Sequence, residues 1–569
     1  MTVLVRGLPV IRDAREAVAA LQNDTVIGFD TETTGLSPWR NKLAVLQFYG
    51  EQSGTTAVIQ VKNGVVPQEL KDLFTPDRLF ICHNGVSFDI PFLATHDVPW
   101  QNAKWYDSLV GETVCISTGR KDVRKSLAAS TARRLGVTID KGIAHGHWHE
   151  ELTDLQVTYA ADDVINLPAL RQTQLERAEE TRQTGAMELE QAIVPYVALM
   201  TINGLPCRKD KMFEYIAQQQ AEVGRQYSNM VATFGNINFN SHVQIKQAVK
   251  RLYGLTWEST AAAALTDMVF DDVDSGPLAQ LILDYRAPVQ RLKMYNDEFI
   301  EQHIINDTIH ARFWQCSADT GRFTCSDPNL QQVPRDGRWV FGNKPGHKVV
   351  AVDYSQIEMR VAAYISGDEH LLQALDDEDI HTSVASMIFR VPMDQVAKEQ
   401  RRKAKAAGFA LLYCGGIPRL YNQARSDGSP MTMEEAEQVF YAFFKRFDGL
   451  WRMRNKAIQL SKTNRMNTIR MPSGLRRVLV GVDNRPSTIL NSSVQGFAAA
   501  GLKKGMLEAG GQGLFQYIGA QVHDELVATV PDAEAEDFGQ ALSAAMIKGM
   551  KTYLPVTVKA EAKIGDTWK

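Results

Sequence analysis

The sequence predicts a multidomain protein of mixed α/β and α+β class. The chain has 569 residues, which is too many for one ordinary domain. Its first 185 residues alternate β-like runs such as TVIGFD and KLAVLQFYG with helical patterns, as α/β units do. From about residue 186 to 310 the pattern is mostly helical, and the remainder mixes strands such as KVVAVDYS with helices. We therefore expect an N-terminal α/β unit, a helical segment and a C-terminal α+β unit.

The composition is that of an ordinary globular protein, with 44% apolar and 22% charged residues. The formal net charge of -4 carries no overall basic signal, so a surface for nucleic acid would have to be built from local clusters. On their own, such clusters are more often solvated faces than binding sites. Basic clusters occur at Arg401, Arg402, Lys403 and Lys405, and at Arg470, Arg476 and Arg477.

The cysteines are scattered and form no CxxC pair. This pattern predicts neither a disulfide framework nor a zinc ribbon, and it fits a reducing cytoplasm. The first 30 residues carry neither a signal-peptide core nor a transit pattern, and no apolar stretch of about 18 residues occurs. We expect a cytoplasmic protein without a membrane span. The cysteines are Cys82, Cys115, Cys207, Cys316, Cys325 and Cys414.

Four acids and a tyrosine form an ordered set near the N-terminus. FDTETTG places Asp30 and Glu32 at alternate positions of a strand end, so both side chains face one way. HNGVSFDIPFL supplies Asp89, and YAADD supplies Tyr159 and Asp163 one helical turn apart. Four carboxylates suit two hard divalent cations that bridge a scissile phosphate, and a neutral tyrosine could orient the attacking water. The set predicts a nuclease site.

Two neighbouring features have simpler interpretations. HGHWHE brings His145, His147 and His149 together, but alternating histidines without a fourth ligand are more often loop residues than a zinc site. Asp107 in WYDSL could form part of the wall of the nuclease site, and a structural role is the preferred interpretation.

Two further acids lie far apart in the C-terminal part. Asp353 in VAVDYSQIEMR and Asp524 in QVHDELVATV each follow an apolar run of β character, so we expect both at strand ends. Paired carboxylates that the fold brings together can hold two divalent cations at the spacing that phosphoryl transfer needs. Glu525, directly after Asp524, is expected either to assist locally or to point to solvent.

A basic helix lies between these two acids. In RRKAKAAGFALLY, Arg401, Lys405, Phe409 and Tyr413 are spaced by four and form one slowly drifting stripe. An amphipathic helix with a basic start is the simpler interpretation. Cations followed by aromatic residues on one face also suit a ligand with phosphates at one end and a base and sugar at the other. Together with the acids, the stripe predicts nucleotide polymerisation.

The ordered motifs resemble those of known enzymes. DxE, NxxxFD and YxxxD are similar to the DEDD-type 3′→5′ exonuclease domain, in its tyrosine-containing subclass. Farther on, TGRFTCSDPNLQQVP, DYSQIEMR, RRKAKAAGFALLYCGG, LNSSVQG and VHDEL occur in the order seen in family A DNA polymerases, the DNA polymerase I class. The resemblance implies an RNase H-like exonuclease domain followed by a right-hand polymerase domain. Its implied boundaries are 1–185 for the exonuclease, 186–310 for the thumb, 311–375 for the first part of the palm, 376–484 for the fingers and 485–569 for the second part of the palm.

The resemblance also implies roles for individual residues. Two Mg²⁺ ions per active site, with Mn²⁺ as an alternative, would be held by Asp353 and Asp524 in the polymerase and by Asp30, Glu32, Asp89 and Asp163, beside the catalytic Tyr159, in the exonuclease. The dNTP would be bound by Arg401, Lys405, Phe409, Tyr413, Glu358, Gln356 and His381. Primer–template DNA would be contacted by Arg322, Asn329, Gln331, Asn491, Gln495, His523, Tyr285, Arg286 and Lys293. The first six of these could test pair geometry in the minor groove, since purine N3 and pyrimidine O2 are acceptors at similar places in every Watson–Crick pair.

By resemblance to the family, two of these positions are expected to determine which nucleotides are preferred as substrates. Glu358 matches the family's steric gate, which crowds a ribose 2′-OH and favours dNTPs. Phe409 stands where relatives carry Phe or Tyr, and Phe there implies poor use of dideoxynucleotides.

The chain also departs from the family pattern at two places. The fingers motif usually reads NFG, whereas this chain has GFA, with Gly408 and Ala410. A glycine inside a helix costs up to about 1 kcal/mol. Ser487 stands where relatives often have an arginine toward the primer, and whether Arg485 replaces it is open.

Some family features are missing from the sequence. Because the exonuclease motifs start near the beginning of the printed sequence, we expect no 5′-nuclease domain before them, and the helical segment shows no long insertion of the kind that recruits thioredoxin in some phage relatives. We therefore expect a short two-activity polymerase like a bacteriophage replicative enzyme, working in the host cytoplasm without a thioredoxin-type factor. Expected partners are primer–template DNA, single-stranded 3′ ends and dNTPs; a replicative helicase or primase stays open.

Two other functions compete with a proofreading polymerase. One is a nuclease whose polymerase half only holds DNA, and the presence of Asp353, Lys405 and Asp524 speaks against it. The other is a non-catalytic DNA-binding protein, which the presence of all six metal-binding acids disfavours.

Overall fold

The computed structural model describes residues 3–118, 120, 122–139, 147–272, 274–376, 380–426, 431–463 and 466–569. In this part of the chain the strands form five sheets, the largest of seven strands and the next of four. The seven-stranded sheet comes from the first 107 residues and the four-stranded sheet from residues 347–565. The predicted multidomain α/β and α+β class is confirmed.

The N-terminal unit is built around the seven-stranded mixed sheet, whose strand order is β1-β2-β5-β4-β3-β6-β7. Its apolar runs are strands because both of their faces are covered by other parts of the chain. The elements are β1 (Leu4–Val5), β2 (Leu8–Ile11), α1 (Ala14–Ala20), β3 (Val26–Thr33), β4 (Leu43–Gly50), β5 (Thr56–Gln60), α2 (Gln68–Lys71), β6 (Leu79–Cys82), α3 (Asp89–Thr95), β7 (Lys104–Asp107), α4 (Ser108–Ile116), α5 (Leu127–Leu135), α6 (Asp154–Ile165) and α7 (Leu167–Glu180).

An aromatic cluster fills one side of this sheet. Phe29 on β3 contacts Phe48, Phe74, Phe80 and Trp105, with ring centroids between 5.4 and 5.9 Å apart. Such contacts add to the burial of large apolar side chains. The cluster therefore holds the central strand rigidly against its neighbours.

Helix α6 crosses the other side of the sheet. It begins at Thr153 in a capping box, with Thr153 and Gln156 bonding each other's backbone. At the α6–α7 junction, Gly28 on β3 leaves room for the Val164 carbonyl, which a Cβ would approach to 2.5 Å. This close approach brings the end of α6 onto β3.

The second segment is mostly helical, as predicted, with three two-residue strands. Helices α10 and α13 pack along each other around Met230, Phe234 and Ile282. The elements are α8 (Thr184–Ala192), α9 (Val194–Asn203), β8 (Leu205–Pro206), α10 (Lys209–Phe234), α11 (His242–Tyr253), α12 (Ala262–Asp271), α13 (Gly276–Met294), α14 (Asp297–His303), β9 (Ile304–Ile305) and β10 (Thr308–Ile309).

The C-terminal part combines an antiparallel sheet, of order β16-β17-β13-β18, with helices on one side and a helical insertion between β13 and β16. The elements are β11 (Arg312–Trp314), β12 (Thr324–Ser326), β13 (His347–Tyr354), α15 (Ile357–Ser366), α16 (Glu369–Asp376), α17 (Ile380–Phe389), α18 (Lys398–Leu411), α19 (Ile417–Ser426), α20 (Met433–Arg446), α21 (Asp448–Ser461), β14 (Asn467–Arg470), β15 (Arg476–Leu479), α22 (Pro486–Gly511), β16 (Ile518–Val522), β17 (Glu525–Pro531), α23 (Ala535–Lys551) and β18 (Ala560–Gly565).

The hairpin of β14 and β15 is hydrogen-bonded to the N-terminal unit. Thr118, just after α4, exchanges backbone hydrogen bonds with Arg476 and Val478 at 2.9 and 3.3 Å. Arg470 donates to the carbonyl oxygens of Thr181 and Arg182. The N-terminal unit is therefore hydrogen-bonded to the C-terminal part far from it in sequence.

Among the described residues, no helix is both long and apolar enough to cross a membrane.

Candidate active sites

Three of the four predicted nuclease acids meet at the end of β3. Strand alternation puts Asp30 and Glu32 on one side, and α6 lays Asp163 over them. One carboxylate oxygen from each lies within 4.8 Å of the others. Asp163 is buried and the other two are partly exposed. Hard oxygen ligands at this spacing fit a divalent cation.

The fourth predicted acid, Asp89, reaches the group indirectly. It is the first residue of α3, is 1% exposed, and accepts a hydrogen bond of 2.5 Å from the Thr31 hydroxyl, between Asp30 and Glu32. Burial, and secondarily the charge of Asp107, raise the pKa of Asp89 to about 7. An acid that is costly to ionise alone is suited to a site completed by cations.

Tyr159 lies beside the acid group. Burial, followed by the charges of Asp163, Glu32 and Asp30, raises the pKa of Tyr159 far above its ordinary value. The residue therefore keeps a neutral hydroxyl. Its ring packs 5.9 Å from that of Trp148, which is 4% exposed.

Asp107 has a structural role, as preferred from the sequence. It is completely buried and caps α4, accepting hydrogen bonds from the backbone of Asn84, Val86, Leu109 and Val110. These bonds tie two loops to the helix start.

The histidine run is partly described. His147, His149 and Glu150 are exposed, and one ligand atom from each lies within 4.8 Å of the others. His145 lies outside the described residues. Three exposed groups do not make the closed four-ligand set of structural zinc.

The second acid pair lies at the end of the four-stranded sheet. Asp353 is on β13, paired in register with Glu525 on β17. Asp524 lies in the turn between β16 and β17, so it is in a hairpin turn and not at a strand end as expected. Burial and the charge of Asp524 raise the pKa of Asp353. The carboxylates of Asp353 and Asp524 repel each other, and this repulsion favours the binding of cations at the site.

Arg322 bridges this site. Its guanidinium donates to Asp524 at 3.3 Å and to Glu358, the second residue of α15. Burial raises the pKa of Glu358, while Arg322 opposes that rise. An arginine expected at the minor groove therefore lies among the carboxylates in this structure.

Glu525 does not point to solvent. It is 7% exposed and accepts from the Trp568 indole at 3.3 Å and from Arg338 at 3.5 Å. Arg338 also lies 4.2 Å from the Trp568 ring centroid, and Trp568 packs on Phe341. Sequence reasoning missed Arg338 and Trp568, which hold Glu525 behind Asp524.

The cationic side chains of the basic helix α18 differ in exposure. Arg401 and Lys405 are exposed, whereas Lys403 is buried and forms ion pairs with Glu399 at 2.9 Å and Glu435 at 3.1 Å. Arg401 and Lys405, the two cations of the predicted stripe, therefore lie at exposed positions of the helix, while Lys403 is engaged in ion pairs.

The same helix approaches α15 at Gly408. A Cβ at Gly408 would lie 3.5 Å from Met359, the residue after Glu358. Tyr413 is half-buried, and its hydroxyl has no hydrogen-bond partner among the described residues. Phe409 is within α18, but its side chain lies outside the described part of the chain.

Two other predicted nucleotide ligands lie on neighbouring elements. Gln356 precedes α15 in a left-handed conformation (φ 52°), and its buried Oε1 has no partner in the described residues. His381 is the second residue of α17 and is partly exposed.

Besides Arg322, the predicted minor-groove residues come from three parts of the chain. Asn491 and Gln495 share one face of α22. Gln331 donates to Gln521 at 3.1 Å, and Asn329 accepts from the Gln331 backbone. His523 is exposed at the turn before Asp524 (φ 56°).

Two of the three predicted thumb contacts are used within the fold. Tyr285 is 8% exposed and packs 5.7 Å from Phe239. Arg286 donates to the Thr260 carbonyl, which ties α13 to the loop before α12. Lys293, near the end of α13, is exposed. Lys293 therefore presents its charge to solvent.

Comparison with known families gives two matches. The model of DNA polymerase family A matches residues 209–569, and that of 3′-5′ exonucleases matches residues 11–177. The two matches cover the acid pair on the four-stranded sheet and the acid group at β3, respectively.

Curated relatives match over most of the chain. DNA polymerase I of Chloroflexus aurantiacus is 28% identical, over 98% of this chain and 63% of that protein. DNA polymerase I of Aquifex aeolicus is 27% identical, over 97% of each. The thermostable DNA polymerase I of Thermus aquaticus is 31% identical, over 62% of this chain and 44% of that protein. The chain thus spans less than two thirds of the first and third relatives and nearly all of the second.

A solved structure shares the fold. It is the POL domain of Pol1 from M. smegmatis in complex with DNA primer-template and dNTP, with a TM-score of 0.79 over 98% of this chain and 99% of that one. The two sequences are 22% identical.

Proposed function

The chain belongs to DNA polymerase family A, and from that membership we propose that it is a DNA-directed DNA polymerase that adds dNTPs to a primer 3′ end and proofreads with a 3′→5′ exonuclease. One observation carries the proposal most strongly. Asp353 and Asp524, which are 171 positions apart in the printed sequence, interact at the end of one sheet. Helix α18, which carries the exposed Arg401 and Lys405, approaches α15 at Gly408.

Both sites have the ligands for divalent cations. In the exonuclease, three carboxylate oxygens within 4.8 Å of one another fit a hard cation. In the polymerase, burial and then the charge of Asp524 raise the pKa of Asp353, and a bound cation would offset both effects. We propose Mg²⁺ at both, two ions per site. When bound, the metal supplies charge neutralisation for phosphoryl transfer and a more acidic attacking oxygen.

In the polymerase site, the protein's own residues position the substrates. Arg401 and Lys405 bind the triphosphate of the dNTP, and Glu358, anchored by Arg322, limits space at the sugar. Tyr413 lies by the templating base. Removing either acid, Asp353 or Asp524, should cost several orders of magnitude in rate because few other groups can hold the charge in place.

In the exonuclease site, Asp30, Glu32 and Asp163 would hold the cations, with Asp89 completing the set, and these cations would supply the charge that neutralises the 3′-terminal phosphodiester. Tyr159 keeps its proton, and its hydroxyl orients the attacking water. The hydrolysed strand end is released as a mononucleotide.

The subdomain limits given above stay proposals: thumb 186–310, palm 311–375 and 485–569, and fingers 376–484. The antiparallel sheet and the basic helix α18 fall within the palm and fingers so defined. A role in bacteriophage DNA replication also stays a prediction. The relatives named above are bacterial.

The decisive experiment is extension of a 5′-labelled primer on a template by the full chain, with and without dNTPs. We expect extension with dNTPs, shortening without them, and neither in EDTA. Asp353→Asn and Asp524→Asn should lose extension and keep shortening. The exposed Asp537 gives a matched control, since Asp537→Asn should keep both activities. Shortening alone by the unaltered chain would contradict the polymerase proposal, and retention of the DNA without either reaction would contradict both.

A further inference from the structure

A cavity of about 680 Å³ lies where the N-terminal unit meets the β14–β15 hairpin. Five arginines line it, against two glutamates, Glu176 and Glu180, among its described lining residues. The arginines are Arg120, Arg133, Arg134, Arg177 and Arg476. We call this cavity the arginine pocket. An excess of cations in a recess focuses field lines and attracts anions.

Four of the arginines have carboxylate partners. Arg133 and Arg134 both pair with the buried Glu112. Arg120 pairs with Asp122 at 2.8 Å, and Arg177 pairs with Glu180 at 2.9 Å. These pairs hold the guanidinium groups in place around the cavity. Against Glu112, Asp122, Glu176 and Glu180, the five arginines leave a net charge of +1.

Arg476 differs from the other four. Its Nε is buried and has no hydrogen-bond partner among the described residues. On the hairpin it lies directly opposite Arg470. Like charges at opposed positions on two strands destabilise a hairpin. Burial, then the charges of Arg470 and Arg177, lower the pKa of Arg476. Binding of an anion would relieve this repulsion and satisfy the buried donor.

The backbone of Arg476 is fixed independently of its side chain. Its carbonyl accepts from Thr118 and its N–H donates to Gln183. Arg477, next in the strand, points the other way and donates to Ser492 of α22 at 2.8 Å, beside Asn491. The arginine pocket and α22, the helix proposed to contact primer–template DNA, therefore lie on opposite sides of β15.

We propose that the arginine pocket binds the phosphodiester backbone of the single-stranded template ahead of the polymerase site. The proposal rests on the function proposed above. None of the described lining residues is aromatic, so the pocket offers charge without a stacking platform and would not select sequence.

The template strand fits this position better than the frayed primer. The pocket uses residues Thr173 to Glu180, the far half of α7. Asp163 lies just before the start of that helix. At about 1.5 Å per residue, the end of α7 is roughly 20 Å farther along than its start. The part of the pocket formed by α7 therefore lies at the end of that helix that is farther from the exonuclease acids.

The test measures binding of two primer–templates by fluorescence anisotropy in EDTA, which prevents degradation. The duplexes are identical, and their 5′ template overhangs are 2 and 12 nucleotides. We expect the unaltered chain to bind the longer overhang more tightly. Arg476→Gln with Arg177→Gln should weaken binding of the long-overhang duplex about three- to tenfold and leave the short one unchanged, because one or two phosphate contacts are lost. The salt dependence should become shallower.

Arg15→Gln provides the matched control. Arg15 is exposed on α1 and paired with Glu69, so its loss should change neither affinity. The single variant Arg177→Gln leaves Arg476 unchanged. It therefore tests the proposal even if the double variant does not fold. It should show a smaller loss in the same direction.

Three results would overturn the proposal: no gain from the long overhang in the unaltered chain, equal weakening of both duplexes, or weakening only of a duplex with a mismatched, frayed primer end. Extension of the short-overhang duplex with Mg²⁺ is measured in parallel. If the unaltered chain does not extend it, the proposed function fails; if it extends and the variants bind like the unaltered chain, only the pocket proposal fails.

Discussion

The Lys503 Nζ lies 2.5 Å from the Glu190 carboxylate, and both side chains are at most 2% exposed. Lys503 is on α22 and Glu190 on α8, the first helix after the exonuclease segment. Lys503 also donates to the Gly321 carbonyl at 2.8 Å, and Gln315 donates to Glu190. The pair therefore fixes the loop whose next residue is Arg322.

We expect Lys503→Met to destabilise the protein by roughly 3–5 kcal/mol, because it leaves a buried carboxylate without its cation. The double variant Lys503→Met with Glu190→Gln should recover much of this loss. Urea unfolding of the full chain measures both. The exposed Lys548–Glu508 pair, at 2.6 Å, is the control: Lys548→Met should cost less than about 1 kcal/mol. Equal losses at both sites would contradict the role given to the buried pair.

Asp30→Ala combined with Glu32→Ala should abolish degradation and preserve extension. Both carboxylates belong to the group at the end of β3 in the seven-stranded sheet, whereas Asp353 belongs to the four-stranded sheet. Gel analysis of a labelled primer, with and without dNTPs, measures the two activities. Loss of extension as well would show that the units do not work separately.

Phe409→Tyr should greatly improve incorporation of dideoxynucleotides. Phe409 occupies the third position of the four-residue stripe on α18, where the family resemblance associates tyrosine with acceptance of dideoxynucleotides. The ratio of dideoxy to deoxy incorporation at a single template position measures this. Unchanged discrimination would count against the alignment of α18.

Gly408→Ala should stabilise the protein by about 0.5–1 kcal/mol. Gly408 is inside a helix, where alanine is preferred, and its added Cβ would make an ordinary contact of 3.5 Å with Met359. Gly415→Ala is the matched control, because its Cβ would come within 2.0 Å of the Ala410 carbonyl. It should destabilise. Thermal unfolding separates the two; a lower Tm for Gly408→Ala would show that the helix needs the freedom of glycine.

Stability should fall between pH 6.5 and about pH 4 through His310. Its ring stacks 3.9 Å from Trp39 of the N-terminal unit, and burial lowers its pKa to about 4. The unfolded chain binds the proton at higher pH than the folded one, so acid favours unfolding by roughly 1–3 kcal/mol. His310→Phe should flatten this part of the pH–stability curve while keeping the stack. An unchanged curve would exclude His310 as its source.

Local spacing was enough to predict part of the candidate sites. Strand alternation predicts that Asp30 and Glu32 face one way, one helical turn relates Tyr159 to Asp163, and a spacing of four puts Arg401 and Lys405 on one face of α18. Asp353 and Asp524 required the order of motifs along the chain, because no local pattern shows which distant strands will pair.

Other features depended on long-range contacts. Trp568 and Arg338 lie 43 and 187 positions from Glu525. The sequence around Glu525 contains no pattern that predicts these contacts. A tyrosine at position 285 is compatible both with a contact to DNA and with packing against Phe239, so the residue type alone does not distinguish the two. The four-residue strand β15 is too short for a clear alternation, so the opposite directions of Arg476 and Arg477 were not predicted.

The bonds between Thr118 and the β14–β15 hairpin, and from Arg470 to the carbonyls of Thr181 and Arg182, bear on protein engineering. A chimera that exchanges residues 1–185 for those of a relative would break these bonds unless the hairpin is exchanged with them. The transferable module is therefore discontinuous in sequence, and a proofreading unit grafted without residues 467–479 would lack its docking edge.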